Sequence, residues 1–283
     1  MKKSLAHAVA VYLRTRRQLG FALVQDGFAL QGWVRFAQHR GQRGPWTAQL
    51  ALDWAQQPQG ADRLDWASRL DIARRGARFW VAFDPRTEIP PAGYFGPTVR
   101  RRAGHVYRSE EITRLLEATT ELGAHHPVRA ATFRTLFGLL ACTGLRIGEA
   151  LSLTDADLDG VAGVLTIRHA KYGHARWVPL HSSTLEALQH YRTVRERATG
   201  SRLTSACFVT VRGQPLGYTA VRAVFRSLCR RLGGTQPPVP RLHDVRHTFA
   251  VRTLLDWSER GEPVAAQLWS LSTCLGHRHL ADT

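Results

Sequence analysis

The sequence predicts a mainly α-helical chain of two domains, with a small β-sheet confined to the second. Three observations predict it. Apolar residues recur with helical periodicity through the first ~85 residues. A stretch rich in proline and glycine then interrupts the pattern over 85–106. Beyond it, two short alternating segments near 164–169 and 176–180 are set among further helices. At 283 residues, 44% hydrophobic and 22% charged, the chain has room for two ordinary domains and is too apolar to be disordered.

In the first domain, residues 1–84, four helices are expected: from about Ser4 to Leu23, Ala29 to His39, Thr47 to Gln56, and Asp62 to Phe83. Thr47 and Asp62 follow Gly/Pro-containing breaks and read as N-caps. The fourth helix gathers Leu64, Leu70, Ile72, Ala77, Trp80 and Val81 near one face, leaving Arg69, Arg74, Arg75 and Arg78 mostly elsewhere. Residues 85–106 read as a linker, broken by Pro85, Pro90, Pro91, Gly93, Gly96 and Pro97 and made basic by Arg100, Arg101 and Arg102. In the second domain, 107–283, Ser109 reads as an N-cap. Helices are expected over about 110–122, 128–142, 184–197, 219–232 and 244–256.

The net charge is +17 and belongs to both parts: residues 1–106 hold 17 basic and 7 acidic side chains, residues 107–283 hold 22 and 15. A folded chain that is basic throughout points to a polyanion met over a long surface, DNA or RNA by default; an arginine-rich surface that is merely solvated is the alternative. Cys142, Cys207, Cys229 and Cys274 form no C-x-x-C pair, which argues against a zinc ribbon or a disulfide framework and fits a reducing cytoplasm. His277 and His279 form an H-x-H without a third metal ligand nearby. The apolar run after Met1 is broken by Arg14, Arg16 and Arg17, so no secretion signal is read, and no stretch has the uninterrupted apolar length of a membrane span.

Three motifs carry chemistry. In TGLRIGEAL, Arg146 sits among apolar residues after a Thr143–Gly144 turn that leads into a new helix, with Glu149 three positions on. Such an arginine either snorkels or holds an anion. In HDVRH, His243 and Arg246 are one helical turn apart, pairing a proton acceptor with a fork of N–H donors, and Phe249, Ala250, Leu254 and Leu255 read as the buried face that follows. In LGH, His277 follows Gly276 at what reads as the start of a short helix. Between the first two motifs lies Lys171, one of three lysines against thirty-six arginines and the only one beyond Lys3. Lysine can release a proton that arginine retains, so Lys171, in a KYGHA turn between VLTIRHA and RWVPL, is a candidate general acid.

In this order and spacing the motifs resemble the tyrosine recombinase (phage-type integrase) family, over essentially the whole chain. The resemblance implies a SAM-like four-helix core-binding domain, including LDWASRLDIARRGARF, and an α+β tyrosine-recombinase catalytic domain, together forming a C-shaped clamp on double-stranded DNA. It implies catalytic roles for Arg146, Lys171, His243, Arg246 and His277, with Glu149 in support. Arg74, Arg75, Arg78, Arg100, Arg101, Arg102 and Tyr172 are candidate DNA contacts. The chemistry implied is attack by a tyrosine on the scissile phosphate, giving a 3′-phosphotyrosyl intermediate, with no metal or nucleotide cofactor. Self-association on DNA, a tetramer in the family, is implied as well, in the cytoplasm at the bacterial nucleoid.

The family's tyrosine lies several residues beyond the LGH histidine, and residues 278–283 contain none. Tyr12, Tyr94, Tyr107, Tyr172, Tyr191 and Tyr218 all precede His243. The expectation is a truncated recombinase lacking its nucleophile and the C-terminal helix exchanged between subunits. The alternative is a non-catalytic relative that occupies recombination sites and modulates a full-length enzyme. A type IB topoisomerase would share the chemistry but shows no longer clamp here. A helix-turn-helix regulator would leave the matched residues unexplained.

Overall fold

The computed structural model describes residues 4–42, 45–98, 104–124, 126–168, 175–200, 204–234 and 239–276. The chain divides into two compact units, Met1–Arg102 and Ala103–Thr283. The first contains α1 (Leu5–Gln18), α2 (Val24–His39), α3 (Ala48–Ala55) and α4 (Arg63–Trp80). Ser4 caps α1, and the expected run to Leu23 stops early because the chain turns at Gly20, φ +87°. Helix α2 therefore begins five residues before its expected start at Ala29. Thr47 Oγ1 accepts from Leu50 N at 3.3 Å, and the Asp62 carboxylate accepts from Leu64 N, so both expected caps form.

Indole rings fill this unit's core. Trp33 and Trp46 meet edge to face with centroids 4.2 Å apart, and Trp54, Leu70, Ala77 and Trp80 close around them. Gly76 permits the arrangement: a Cβ there would lie 2.5 Å from Trp46 Cη2. Leu64, Ile72 and Val81, expected on the same face, are only half-buried. Much of the segment read as linker packs against this unit. Glu88 N donates to Trp46 O, Arg74 Nε donates to Pro90 O at 3.0 Å, and Phe95 is buried. Arg75 pairs with Asp26 and Asp71, while Arg78 is exposed. Arg100, Arg101 and Arg102 lie outside the described residues.

The second unit is built around α6 (Pro127–Thr143), which buries Val128, Phe133, Leu136, Phe137, Leu139 and Leu140. A helix so broadly apolar is a central one, and α8 (Ser182–Thr199) and α10 (Leu242–Glu259) pack on it. Around them lie α5 (Ser109–Ala118), which continues into a 3-10 turn, α7 (Ile147–Leu151), α9 (Tyr218–Arg231) and α11 (Val264–Leu275). The sheet is an antiparallel meander, β1 (Leu158–Asp159), β2 (Val164–Ile167) and β3 (Arg176–Pro179), with Leu165 opposite Val178.

The expected mainly helical chain with a small sheet is what forms, with local corrections. Arg108, not Ser109, is the N-cap of α5, because Glu111 takes the Arg108 N–H at 2.8 Å. Leu255 is exposed, since it falls off the buried stripe of α10. The helix expected after the Thr143–Gly144 turn forms as α7, while the sequence does not announce β1 or α11. Gly276 ends a helix, with φ +67°, and the helical start expected at His277 lies outside the described residues. Among the described residues, no helix is long and apolar enough to cross a membrane.

Candidate active site

The site begins where α6 ends. Gly144 closes that helix in the left-handed region, and a Cβ there would meet Phe249 Cδ1 at 2.5 Å and Leu275 Cδ2 at 2.9 Å. Only glycine allows the turn to sit that close to α10 and α11. Arg146, two residues on, is the N-cap of α7. Its backbone N–H donates to Glu149 Oε2 at 3.0 Å and its Nη1 to Oε1 at 2.9 Å, so one carboxylate both caps the helix and grips the guanidinium. The rest of that guanidinium reaches α11: Nη1 donates to Leu275 O at 3.2 Å and Nη2 to Gly276 O at 2.9 Å.

Arg246 reaches the same place from α10, a hundred residues later. Its Nη1 donates to Gly144 O at 2.8 Å and its Nη2 to Leu275 O at 2.7 Å. The two arginines therefore share the Leu275 carbonyl. Arg246 is 5% exposed, and burial together with the nearby Arg146 charge lowers its pKa to about 10. The nearby Glu149 carboxylate offsets part of that lowering.

His243 stands one turn before Arg246 and presents an exposed ring. Loss of hydration on its protein side and the Arg246 charge hold its pKa below the ordinary value, which favours the neutral, proton-accepting imidazole. The start of α10 is pinned on both sides. Asp244, 2% exposed, accepts from Arg241 N at 2.8 Å, and Thr248 Oγ1 accepts from Tyr107 N at 2.9 Å while donating to Asp244 O.

A third guanidinium, Arg176 on β3, escaped the sequence analysis. It donates from Nη1 and Nη2 to Glu149 Oε1 and Oε2 at 3.0 and 2.7 Å, and from Nε to Cys274 O at 2.8 Å. The signal was present: Arg176 and Val178 share the inward face of β3, and a charge in phase with a buried valine needs a buried partner. Burial alone would raise the Glu149 pKa, but the bonds from Arg176 and Arg146 hold it below the usual carboxylate range. Arg146 and Arg176 thus both bond the Glu149 carboxylate, and carbonyls at the C-terminal end of α11 accept from all three guanidiniums.

The structure therefore brings together Arg146, Glu149, His243 and Arg246. Lys171, Tyr172 and His277 lie outside the described residues. Arg74, Arg75 and Arg78 belong to the first unit.

Two guanidiniums converge beside a histidine on this fold, and comparison with known proteins assigns the class. Residues 105–281 match the phage integrase family, and the chain belongs to this family of tyrosine recombinases. It is similar to a Sinorhizobium fredii protein named as an integrase/recombinase, y4rB, at 40% identity over 98% of this chain and 90% of that protein. It is similar also to the tyrosine recombinase XerC of Bacillus pumilus, at 27% identity over 100% of this chain and 90% of the other. Among solved structures, the Tn1549 transposon integrase in complex with transposon right end DNA superposes with a TM-score of 0.70 at 17% identity, covering 99% of this chain and 93% of that one. A lambda integrase dimer bound to a core site gives 0.63 at 15% identity, covering 99% and 97%.

Proposed function

We propose that this member of a site-specific DNA recombination family uses Arg146 and Arg246 as a clamp on the scissile phosphate, with a tyrosine from outside these 283 residues as the nucleophile. The observation that carries the reading is the convergence of both guanidiniums on the Leu275 carbonyl, at 3.2 and 2.7 Å. Two preorganised cations there would offset the charge that develops on the phosphoryl oxygens during attack. His243, neutral at physiological pH, accepts the proton of the attacking phenol. The phenolate oxygen bonds to phosphorus, the bond to the 5′-oxygen breaks, and Lys171 gives that oxygen its proton. His277 donates a hydrogen bond to the phosphate. A 5′-hydroxyl from the partner strand then reverses the step. Of the α4 arginines, exposed Arg78 suits a DNA phosphate better than Arg74 and Arg75, which are already engaged; Arg100, Arg101, Arg102 and Tyr172 are assigned to DNA contact on their sequence alone.

A second reading is occupation of recombination sites without cleavage, and the burial of Tyr12, Tyr107 and Tyr191 in the two cores, away from any phosphate, accords with it. Self-association on DNA belongs to both readings.

A nicked suicide duplex, carrying a site that the protein itself selects from a random pool, separates them. The 283-residue chain should bind without forming a covalent adduct, and a version extended in frame to the next tyrosine should form one. An adduct from the 283-residue chain would contradict the assignment of the nucleophile. Absence of adduct from both would leave the non-cleaving reading.

A further inference from the structure

We propose that Arg176 is a positioning residue for the phosphate clamp: it sets the direction of Arg146 through Glu149 without itself meeting the phosphate. The inference rests on the clamp reading above. Each oxygen of Glu149 accepts two bonds, one from each arginine. Oε1 takes Nη1 of Arg146 at 2.9 Å and Nη1 of Arg176 at 3.0 Å. Oε2 takes the Arg146 backbone N–H at 3.0 Å and Nη2 of Arg176 at 2.7 Å. The bidentate Arg176 fork fixes the plane of the carboxylate, and that plane fixes where Arg146 points.

The same side chain tethers the other wall of the site. Arg176 Nε donates to Cys274 O at 2.8 Å, one residue before the carbonyl shared by Arg146 and Arg246. Packing is tight enough that a Cβ on Gly276 would fall 2.9 Å from Arg176 Nη1 and 3.3 Å from Arg146 Nη1. Strand β3, the acid beside Arg146 and the end of α11 are thus joined by one guanidinium.

Charge gives the second half of the argument. A private Glu149–Arg146 pair would spend the Arg146 charge before any phosphate arrived. By sharing Glu149, Arg176 supplies a second positive charge to the same carboxylate and leaves Arg146 attractive to an anion. Arg176 commits Nε, Nη1 and Nη2 to the Cys274 carbonyl and the Glu149 carboxylate, so it holds the carboxylate rather than a ligand.

Phosphate-ethylation interference tests this without a nucleophile, on the 283-residue protein and its selected duplex. In the wild type, ethylating one phosphate in each half-site should weaken binding about tenfold, the size of one charge-assisted contact. Arg146→Ala should reduce interference at that phosphate to the share carried by Arg246. Arg176→Ala should reduce it to the same extent, and so should Arg176→Lys, which keeps the charge but lacks the planar fork. Interference at the other phosphates should persist in all three variants. Undiminished interference at the clamp phosphate in folded Arg176→Lys would overturn the inference while leaving the clamp intact. Uniform weakening at every phosphate would reduce Arg176 to a structural role. Absence of a clamp phosphate in the wild type would remove the reading on which the inference stands.

Discussion

Arg195 on α8 and Arg246 on α10 are both buried arginines, and their charges meet opposite fates. Arg195 bonds both oxygens of Asp155, at 3.0 and 2.6 Å, and the carbonyls of Ala206 and Cys207. Burial would lower its pKa, but Asp155 more than compensates and the net shift is upward. Arg246 donates to the carbonyls of Gly144 and Leu275 with Arg146 close by, and its pKa falls to about 10. These bonds of Arg195 include a carboxylate, whereas these of Arg246 go to backbone carbonyls. Under the proposed reading, the first is a structural arginine and the second a binding one, and burial alone does not separate them.

The variant that breaks this contrast most severely is Arg246→Ala. In the tyrosine-bearing protein it should lower the rate of adduct formation about 10³-fold, the upper range for removing a preorganised charge-stabilising donor, as read by single-turnover kinetics on the suicide duplex. An unchanged rate would make Arg246 structural, like Arg195. Next comes Asp155→Ala, which strands Arg195 and should cost about 3 kcal/mol of folding free energy, measured by urea unfolding. Clamp-phosphate interference should be untouched in the fraction that remains folded.

The pH dependence sharpens the same comparison. The folded pKa of Glu149 is depressed, so its contribution to stability is complete above the unfolded value of about 4.3 and is lost as pH falls through the lower folded value. His243 is also depressed, so its neutral form is favoured by folding. That contribution is complete above about 6.5 and is lost as pH falls through the lower folded value. The acid limb of the adduct rate at sub-saturating DNA should consequently lie below pH 6.5; a limb above it would contradict the His243 assignment. The smallest effect is expected at Arg75, 47% exposed and paired with Asp26 and Asp71. Arg75→Ala should change stability by about 0.5 kcal/mol and leave the salt dependence of DNA binding unchanged, whereas Arg78→Ala should reduce that slope by about 1 if Arg78 meets a phosphate.

What was legible in the sequence follows from the range of each signal. Helices with strong periodicity and side-chain caps, such as α3 after Thr47 and α4 after Asp62, were readable because their causes are local. Arg146, His243 and Arg246 stood out through short motifs with a functional order. Arg176 did not, because RWVPL reads as an ordinary strand until the inward phase of Val178 is applied to its neighbour two residues back. Helix α11 was missed although Pro263 and Gly276 bracket it, since VAAQLWSLSTCL has neither a side-chain cap nor charges to mark a face. The convergence on Leu275 spans α7, α10 and α11, and nothing local to any one of them announces it. Charge misdirected attention as well: the more basic part, residues 1–106, carries arginines such as Arg74 and Arg75 that are already engaged.

The central claim is that Arg146 and Arg246 hold one phosphate between them. It is tested most directly by an experimental structure of this protein on its selected duplex, measuring the distance from each guanidinium to the nearest phosphate oxygens. The account predicts both within hydrogen-bonding reach of the same phosphate, with Arg176 still on Glu149 and off the DNA. Guanidiniums on different phosphates, or both still facing only the α11 carbonyls with DNA bound, would contradict it.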